Sequence, residues 1–345
     1  KINQVYFLGW RDDTIDEMQA LKDTIEYNLG LQIDYHALVN FDTFGELINA
    51  FDGVDISVDC AIQDWRLKGP GLDRQDEDSW EMYTLPVGVH SLSGNMALWY
   101  ARSRRTSDDI DRGRRQQDIA RALWRKIRSD GLLQNFPLLW EEMNRIIETD
   151  INLSDALTLL PLALDTDTSD VQYFTMSKTR ELQNDDFEGS FVLTPNRDAL
   201  TEFIEQVVQP PGSSRLGTIA PTVAIVNASE YNSMAQVAAD RLELEGFRTV
   251  IIQEPDTYKR EASEVIDYTG LSKGNPVDII VDRMSIGVEN ISVDPDAERE
   301  YDYKVYIGRD YINYSCTRAI QPPRAIPIET ENNAPPTEPT PVPGA

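Results

Sequence analysis

Residues 94–123 read "GNMALWYARSRRTSDDIDRGRRQQDIARAL". Six arginines fall within the fourteen positions from Arg102 to Arg115, in a chain with 32 Lys plus Arg, 59 Asp plus Glu and a formal net charge of -27. The stretch predicts a short helix beginning near Ser93, then an extended segment, then a long helix from Asp109 to Arg128 that "SDG" ends. Extended backbone over 100–104 puts Tyr100, Arg102 and Arg104 on one side by period-two alternation. In the long helix the apolar stripe is Ile119, Ala120, Leu123 and Ile127. Traced backward by three and four, it lands on Arg112, Arg115 and Gln116. Arg112 and Gln116 are thus expected to point inward with Arg115 at the edge. Arg114, Asp118, Arg121, Arg125 and Arg128 follow a face expected to be solvated.

Inward guanidinium groups are costly unless neutralised. Two partners remain open: the chain's own abundant carboxylates, or an external anion. A phosphate suits arginine because the planar fork makes parallel, charge-assisted hydrogen bonds. Several guanidiniums converging on one point repel each other unless a polyanion sits between them, a need that a pyrophosphate meets. The N-terminus of the long helix would aim free N–H groups at the same place. Asp108, Asp109 and Asp111 fit helix capping and first-turn dipole complementarity, and carboxylates beside phosphates also suit Mg²⁺.

Outward from this segment, strands alternate with helices, which predicts an α/β chain. Ile15, Met18, Leu21, Ile25 and Leu29 have helical spacing, and Gly30 stops them. "LQIDYHALVNF" alternates as a strand over 31–41. A helix carries Phe44, Leu47, Ile48 and Phe51, with Asp42 as its expected cap, and "VDISV" (54–58) follows as a strand. Residues 59–85 read as a polar loop. Helices are expected near 132–147, 154–163 and after Pro195, and a strand near Val171–Met176. "QPPGSSRLGTIAP" (209–221) has linker composition. Beyond it, "TVAIVNAS", "SMAQVAADRLELEG" and "FRTVIIQEP" form a β-α-β unit with parallel strands, and "VDIIVD" and "YKVYIG" are expected to add strands. Residues 316–345 are Pro-rich and expected to be disordered.

The strong negative charge argues against a nucleic-acid partner and against adsorption to anionic lipid. The two cysteines, Cys60 and Cys316, form no C-x-x-C pair, and whether they bond to each other is open. Two histidines, His36 and His90, lie far apart and exclude an H-E-x-x-H metalloprotease. No G-x-S-x-G elbow is present. No apolar run approaches the ~20 residues of a membrane helix.

The arginine segment resembles the signature of the LytR-CpsA-Psr family: G-x-x-A-L-x-Y-x-R-x-R, then D-x-x-R-x-x-R-Q-Q opening a helix. Gly94, Ala97, Leu98, Tyr100, Arg102, Arg104, Asp109, Arg112, Arg115, Gln116 and Gln117 all fit. "VNFDTFGELINAFDGVDISV" is similar to the family's preceding helix-turn-strand, and "KIN" to the stretch after its first catalytic motif. The resemblance covers residues 1–208, and 222–315 resembles the LytR C-terminal domain.

The resemblance implies an α/β fold with a central mixed sheet in α-β-α layers, followed by a smaller α/β domain. It implies an extracytoplasmic, membrane-anchored phosphotransferase that moves a glycopolymer from an undecaprenyl-pyrophosphate carrier to peptidoglycan. Mg²⁺ would assist, and pyrophosphatase activity would be a side reaction. A non-catalytic envelope protein that holds polyprenyl pyrophosphate or glycan is the alternative. The catalytic residues carried over are Arg102, Arg104, Arg112 and Gln116, with Asp109 and Arg115 added for substrate binding. The family's metal ligands and anchoring helix would precede Lys1, so this chain is expected to bind Mg²⁺ poorly and turn over slowly or not at all.

Overall fold

The computed structural model of the chain describes residues 2–12, 14–69, 71–106, 109–131, 136–166, 171, 174, 176, 180–187, 189–208, 220–254, 260–272 and 275–311. Their secondary structure is mixed α/β, as expected, and their contacts form two units that interleave along the sequence.

The first unit takes Lys1–Asn40, Asn135–Asp165 and Phe174–Thr218. Helix α1 (Ile2–Trp10) packs on α2 (Glu17–Leu29). The α2 helix begins where the Asp16 carboxylate accepts the Gln19 N–H at 2.8 Å, and it ends at Gly30, whose φ of 69° suits a residue without Cβ. The strand expected over 31–41 shrinks to β1 (Ala37–Leu38), because its antiparallel partner near Asp150 supplies only two residues. The Asp150 carboxylate ties this junction together, accepting from Lys22 Nζ at 2.7 Å and from the His36 N–H at 2.8 Å.

The second unit takes Phe41–Gln134, Thr166–Tyr173 and Ile219–Ala345, and it holds the arginine segment. Helix α3 (Phe41–Ala50) leads into β2 (Val54–Val58). Asp42 lies in the first turn of α3 rather than before it. Where a loop was expected over 59–85, β3 (Ile62–Leu67) and β4 (Trp80–Leu85) pair antiparallel as a hairpin, with Ile62 facing Leu85 and Leu67 facing Trp80. Gly69, Gly71, Asp73, Asp76 and Asp78 lie in the connection between the two strands. Strand β5 (Gly88–Leu92) pairs antiparallel with β2. Helix α4 (Gly94–Arg102) follows at once, with Ser93 at its N-cap. Helix α5 runs Asp109–Ser129. Ile48, Val54, Ile56, Leu92, Ala97, Tyr100 and Ile119 form the core that joins these elements.

Further along, α6 (Phe136–Ile146), β6 (Glu148–Thr149, the partner of β1), α7 (Leu153–Asp165), the hairpin β7 (Leu182–Phe187) and β8 (Ser190–Pro195), and α8 (Arg197–Val208) complete the first unit. The expected strand at Val171–Met176 falls largely outside the described residues, as do most of the 209–221 linker and the whole 316–345 tail.

Residues 222–307 build a five-stranded mixed sheet, while among the described residues of 1–208 the strands pair in twos. Its elements are β9 (Thr222–Asn227), α9 (Met234–Leu244), β10 (Arg248–Ile252), β11 (Glu264–Asp267), α10 (Val277–Met284), β12 (Ile291–Val293) and β13 (Tyr303–Ile307), in the order β10-β9-β13-β11-β12. The expected β-α-β unit is β9-α9-β10, with parallel strands in register Val223 to Thr249. "VDIIVD" is helix α10, not a strand. Its buried Ile280 and Met284 recur at helical spacing, and Pro276 sits at its N-cap. Apolar burial is continuous here: Ala61 and Val87 belong to the same cluster as Val223, Ile225, Met234 and Leu242.

Candidate functional site

The arginine segment lies where α4 ends and α5 begins. Helix α4 can start only as a glycine, because a Cβ on Gly94 would stand 2.1 Å from the Gly45 carbonyl oxygen of α3. The Gly94 N–H also donates to Asn49 Oδ1 at 2.8 Å. The helix then continues through residue 102, so 100–102 are helical and the expected alternation fails. Tyr100 turns into the core at 1% exposure, and Arg102 turns out.

A helix C-terminus leaves carbonyls without intrahelical donors. Here α5 supplies them. Arg115, only 2% exposed, donates from Nε to the Tyr100 carbonyl at 2.9 Å and from Nη2 to the Ser103 carbonyl. Gln116 Nε2 donates to the Ala101 carbonyl at 3.3 Å. Arg115 is therefore an inward structural clamp rather than an edge residue, while the Gln116 side chain, expected inward, is exposed. Arg112 lies one turn earlier on the Arg115–Gln116 side of α5 and is half-buried. Burial pushes the Arg115 guanidinium below its ordinary pKa.

Arg102 sits in the last turn of α4, where a cation complements the helix dipole, and its guanidinium carbon lies 4.1 Å from the centroid of the Phe41 ring. Arg104 is exposed on the connecting turn. Its N–H donates to Asp64 Oδ2 at 2.9 Å, and the Arg105 N–H does so at 3.3 Å. Asp64 Oδ1 accepts the Trp65 N–H at 2.8 Å, so one carboxylate pins the turn to strand β3. Asp109 opens α5, but its side chain, like Asp108 as a whole, lies outside the described residues. The structure thus brings Arg102, Arg104, Arg112, Arg115 and Gln116 to one helix-turn-helix junction. Arg115 is assigned to the backbone and Gln116 Nε2 is held by a carbonyl.

The α5 face expected to be solvated is instead an interior face. Arg114 forks onto Asp59 at 2.7 and 3.1 Å. Arg121, at 4% exposure, reaches Glu243 and the Asp240 carbonyl, the latter at 3.1 Å, and Arg125 reaches Asp240 at 3.1 Å. Burial raises Asp118 to about 6 against the pull of Arg114. Burial also pushes Asp59 upward, but the Arg114 and Arg241 charges outweigh it and hold Asp59 below its ordinary value. Periodicity within α5 could not show this, since the covering helix α9 lies more than a hundred residues away in sequence.

Residues that the sequence reading missed are Phe41, Asp64, Trp65 and Arg105. Alternation in "IQDWRL" and "WEMYTL", rich in aromatic and branched residues, carried the hairpin signal. Among the described residues, no group of three or more His, Cys, Asp or Glu side chains could hold a metal ion. No described helix is long and apolar enough to cross a membrane. Cys60 is held in a disulfide; Cys316, the other cysteine of the sequence, lies outside the described residues.

Comparison with known proteins places this junction in context. The LytR_cpsA_psr family model matches residues 1–208. The chain is 27% identical over 183 residues to polyisoprenyl-teichoic acid–peptidoglycan teichoic acid transferase TagT of Bacillus subtilis, covering 47% of this chain and 54% of that protein. It is 29% identical over 161 residues to the corresponding transferase TagV of the same organism, covering 46% of this chain and 37% of that protein. The chain therefore spans about half the length, or less, of these curated relatives. Among solved structures, the crystal structure of B. subtilis TagV aligns with a TM-score of 0.47 at 21% identity, over 60% of this chain and 72% of that chain.

Proposed function

The chain belongs to the LytR_cpsA_psr family, and from that premise we propose that it is the pyrophosphate-binding part of an envelope phosphotransferase. The enzyme moves a glycopolymer such as a teichoic acid or capsule chain from an undecaprenyl-pyrophosphate carrier to peptidoglycan. The named activity of the relatives TagT and TagV supports this reading. The observation that carries it is the α4–α5 junction. A chain with net charge -27 carries Arg102 at the end of α4, Arg104 on the connecting turn and Arg112 near the start of α5, and uses a fourth arginine and a glutamine to hold the backbone of that junction. Such scaffolding of a cationic turn is what recognition of a doubly charged phosphate group requires.

The chemistry is phosphoryl transfer. A hydroxyl of the acceptor glycan attacks the phosphorus that bears the glycopolymer. A new P–O bond forms, the bond from that phosphorus to the bridging oxygen breaks, and polyprenyl phosphate leaves with the bonding electrons. The hydroxyl proton passes to a general base. Arg102, Arg104 and Arg112 bind the non-bridging oxygens and stabilise charge on the leaving phosphate. Arg115 and Gln116 keep the turn in place. No step is assigned to a metal. The reaction belongs outside the cytoplasm, at the membrane where the carrier lipid resides.

Calorimetric titration with farnesyl pyrophosphate tests the binding step. Each of Arg102→Ala and Arg112→Ala should weaken binding by ~1.5–3 kcal/mol, the value of a charged hydrogen bond. Unchanged affinity in both variants would sink the assignment. Mass-resolved assay of glycan transfer then separates the enzyme from a protein that binds the carrier without turning it over.

A further inference from the structure

The hairpin β3–β4 has two faces with different fates. One carries Ile62, Asp64 and Arg66, opposite Leu85, Tyr83 and Glu81. It is packed: Ile62 and Leu85 are buried, Tyr83 meets Trp99 edge-on with centroids 5.4 Å apart, and Arg66 lies 3.6 Å over the Tyr83 ring. The other face carries Gln63, Trp65 and Leu67, opposite Thr84, Met82 and Trp80. Trp65 is 53% exposed there.

This exposure does not come from a loose chain end. Trp65 sits within a paired strand, and its carbonyl accepts the Trp99 indole N–H at 3.0 Å. Gln63 Nε2 donates to Thr84 Oγ1 at 2.9 Å, which fixes the neighbouring cross-strand pair. The backbone that carries the ring is thus held in place, so covering the ring with a ligand orders no loose segment.

The same face is joined to the arginine turn. Arg105 Nη1 reaches Gln63 Oε1 at 3.1 Å and Met82 Sδ at 3.4 Å, and Met82 is the residue opposite Trp65. From the packed face, Asp64, the strand neighbour of Trp65, accepts the N–H groups of Arg104 and Arg105. An exposed indole and a cationic turn therefore share one scaffold. A flat aromatic ring takes the C–H face of a pyranose, and nearby guanidinium and amide groups suit its hydroxyls.

Resting on the reading of the turn as a pyrophosphate site, we propose that Trp65 and Arg105 form a saccharide subsite that receives the first sugar attached to the pyrophosphate. In a glycosyl pyrophosphate that sugar follows the phosphate directly, so the aromatic platform hydrogen-bonded to the turn is where it would lie. The subsite makes binding depend on sugar as well as phosphate.

The test titrates the full chain with two probes, farnesyl pyrophosphate and farnesyl pyrophosphate bearing N-acetylglucosamine. Wild type should bind the sugar-bearing probe more tightly. Trp65→Ala should weaken that probe about two- to tenfold and leave the sugar-free probe unchanged. Trp65→Phe, which keeps a ring, should recover most of the loss. Equal weakening of both probes, no weakening of either, or equal wild-type affinity for the two would overturn the subsite while leaving the pyrophosphate reading intact. If wild type binds neither probe, the pyrophosphate reading fails on its own. Chitotetraose, which carries no phosphate, then decides the subsite. A shift of the indole N–H resonance that Trp65→Ala removes supports the platform, and unmoved indole resonances reject it.

Discussion

At the level of single residues, arginines of one motif do opposite work. Arg115 spends its fork on the carbonyls of Tyr100 and Ser103, whereas Arg102 points outward over Phe41. Arg115→Ala orphans two buried acceptors at about 1–3 kcal/mol each, so unfolding free energy should drop by about 2–6 kcal/mol in a denaturant titration. Arg115→Lys should recover only part, since one ammonium cannot span two carbonyls as a fork does. Arg102→Ala should cost no more than about 1 kcal/mol of stability, the worth of an exposed cation–π contact, even while it weakens pyrophosphate binding. The carboxylates behind α5 contribute to the pH response. Asp118 faces Arg114, Asp59, Arg241 and Arg121, and its folded pKa is raised to about 6. Between pH ~4 and ~6 the unfolded chain has released this proton and the native chain has kept it, so the Asp118 contribution to stability falls as pH rises through that window and is flat above it, whereas His90, held low by burial, contributes in the opposite sense. Asp59, held low, acts the other way: its contribution is present above pH ~4 and lost as pH falls below its folded value. Relative to wild type, Asp118→Asn should gain stability as pH rises from ~4 to ~6 and melt at a higher temperature at pH ~7. Wild-type and Asp118→Asn profiles that run parallel over that window would exclude this carboxylate as a contributor.

At the level of elements, the parts legible in the sequence were those whose signal is local. Helix α2 was readable from its apolar spacing and its Gly30 stop, and β9-α9-β10 from a strand, helix, strand succession. The glycine that opens α4 was readable as a motif position, but its cause is a crossing: the backbones of α3 and α4 touch at Gly45 and Gly94. Gly94→Ala should push these helices apart, costing about 1–3 kcal/mol by overpacking, and should also weaken pyrophosphate binding because Arg102 rides on α4. A thermal melt and a titration on the same variant check both effects. Other elements were illegible for definite reasons. The run "VDIIVD" is too short for period to separate a strand from a helix. The Gly- and Asp-rich connection of the β3–β4 hairpin masked the alternation on either side of it. The extended segment expected at 100–104 gave way to helix because Arg115 and Gln116, a dozen residues on, cap the carbonyls that lengthening α4 exposes. The candidate site was therefore legible as a set of residues, and the division between those that hold the backbone and those that face outward was not.

At the level of the whole molecule, a net charge of -27 sets long-range repulsion against short-range pairing. Part of the pairing lies where α5 meets α9, Arg121 with Glu243 and Arg125 with Asp240, and the Ser57 hydroxyl of β2 also donates to Asp240. Thr249 Oγ1 holds the other oxygen of Glu243 at 2.7 Å, so the acceptor is preorganised. The helix of the β-α-β unit thus covers the back of the helix whose front carries the arginine turn. Salt separates the two electrostatic effects. Raising ionic strength from 10 to 150 mM shortens the screening length from about 30 to about 8 Å, which relieves repulsion among surface carboxylates and hardly reaches a buried pair. The wild-type melting temperature should therefore rise over that range. Arg121→Ala leaves Glu243 and the Asp240 carbonyl without their buried donor and should destabilise by about 3–5 kcal/mol. That deficit should persist at both salt concentrations, and Glu243→Gln introduced together with Arg121→Ala should be less destabilising than the two single effects added. If salt erased the Arg121→Ala deficit, the pair would be behaving as a surface contact, and the closure of α5 by α9 would have to be abandoned.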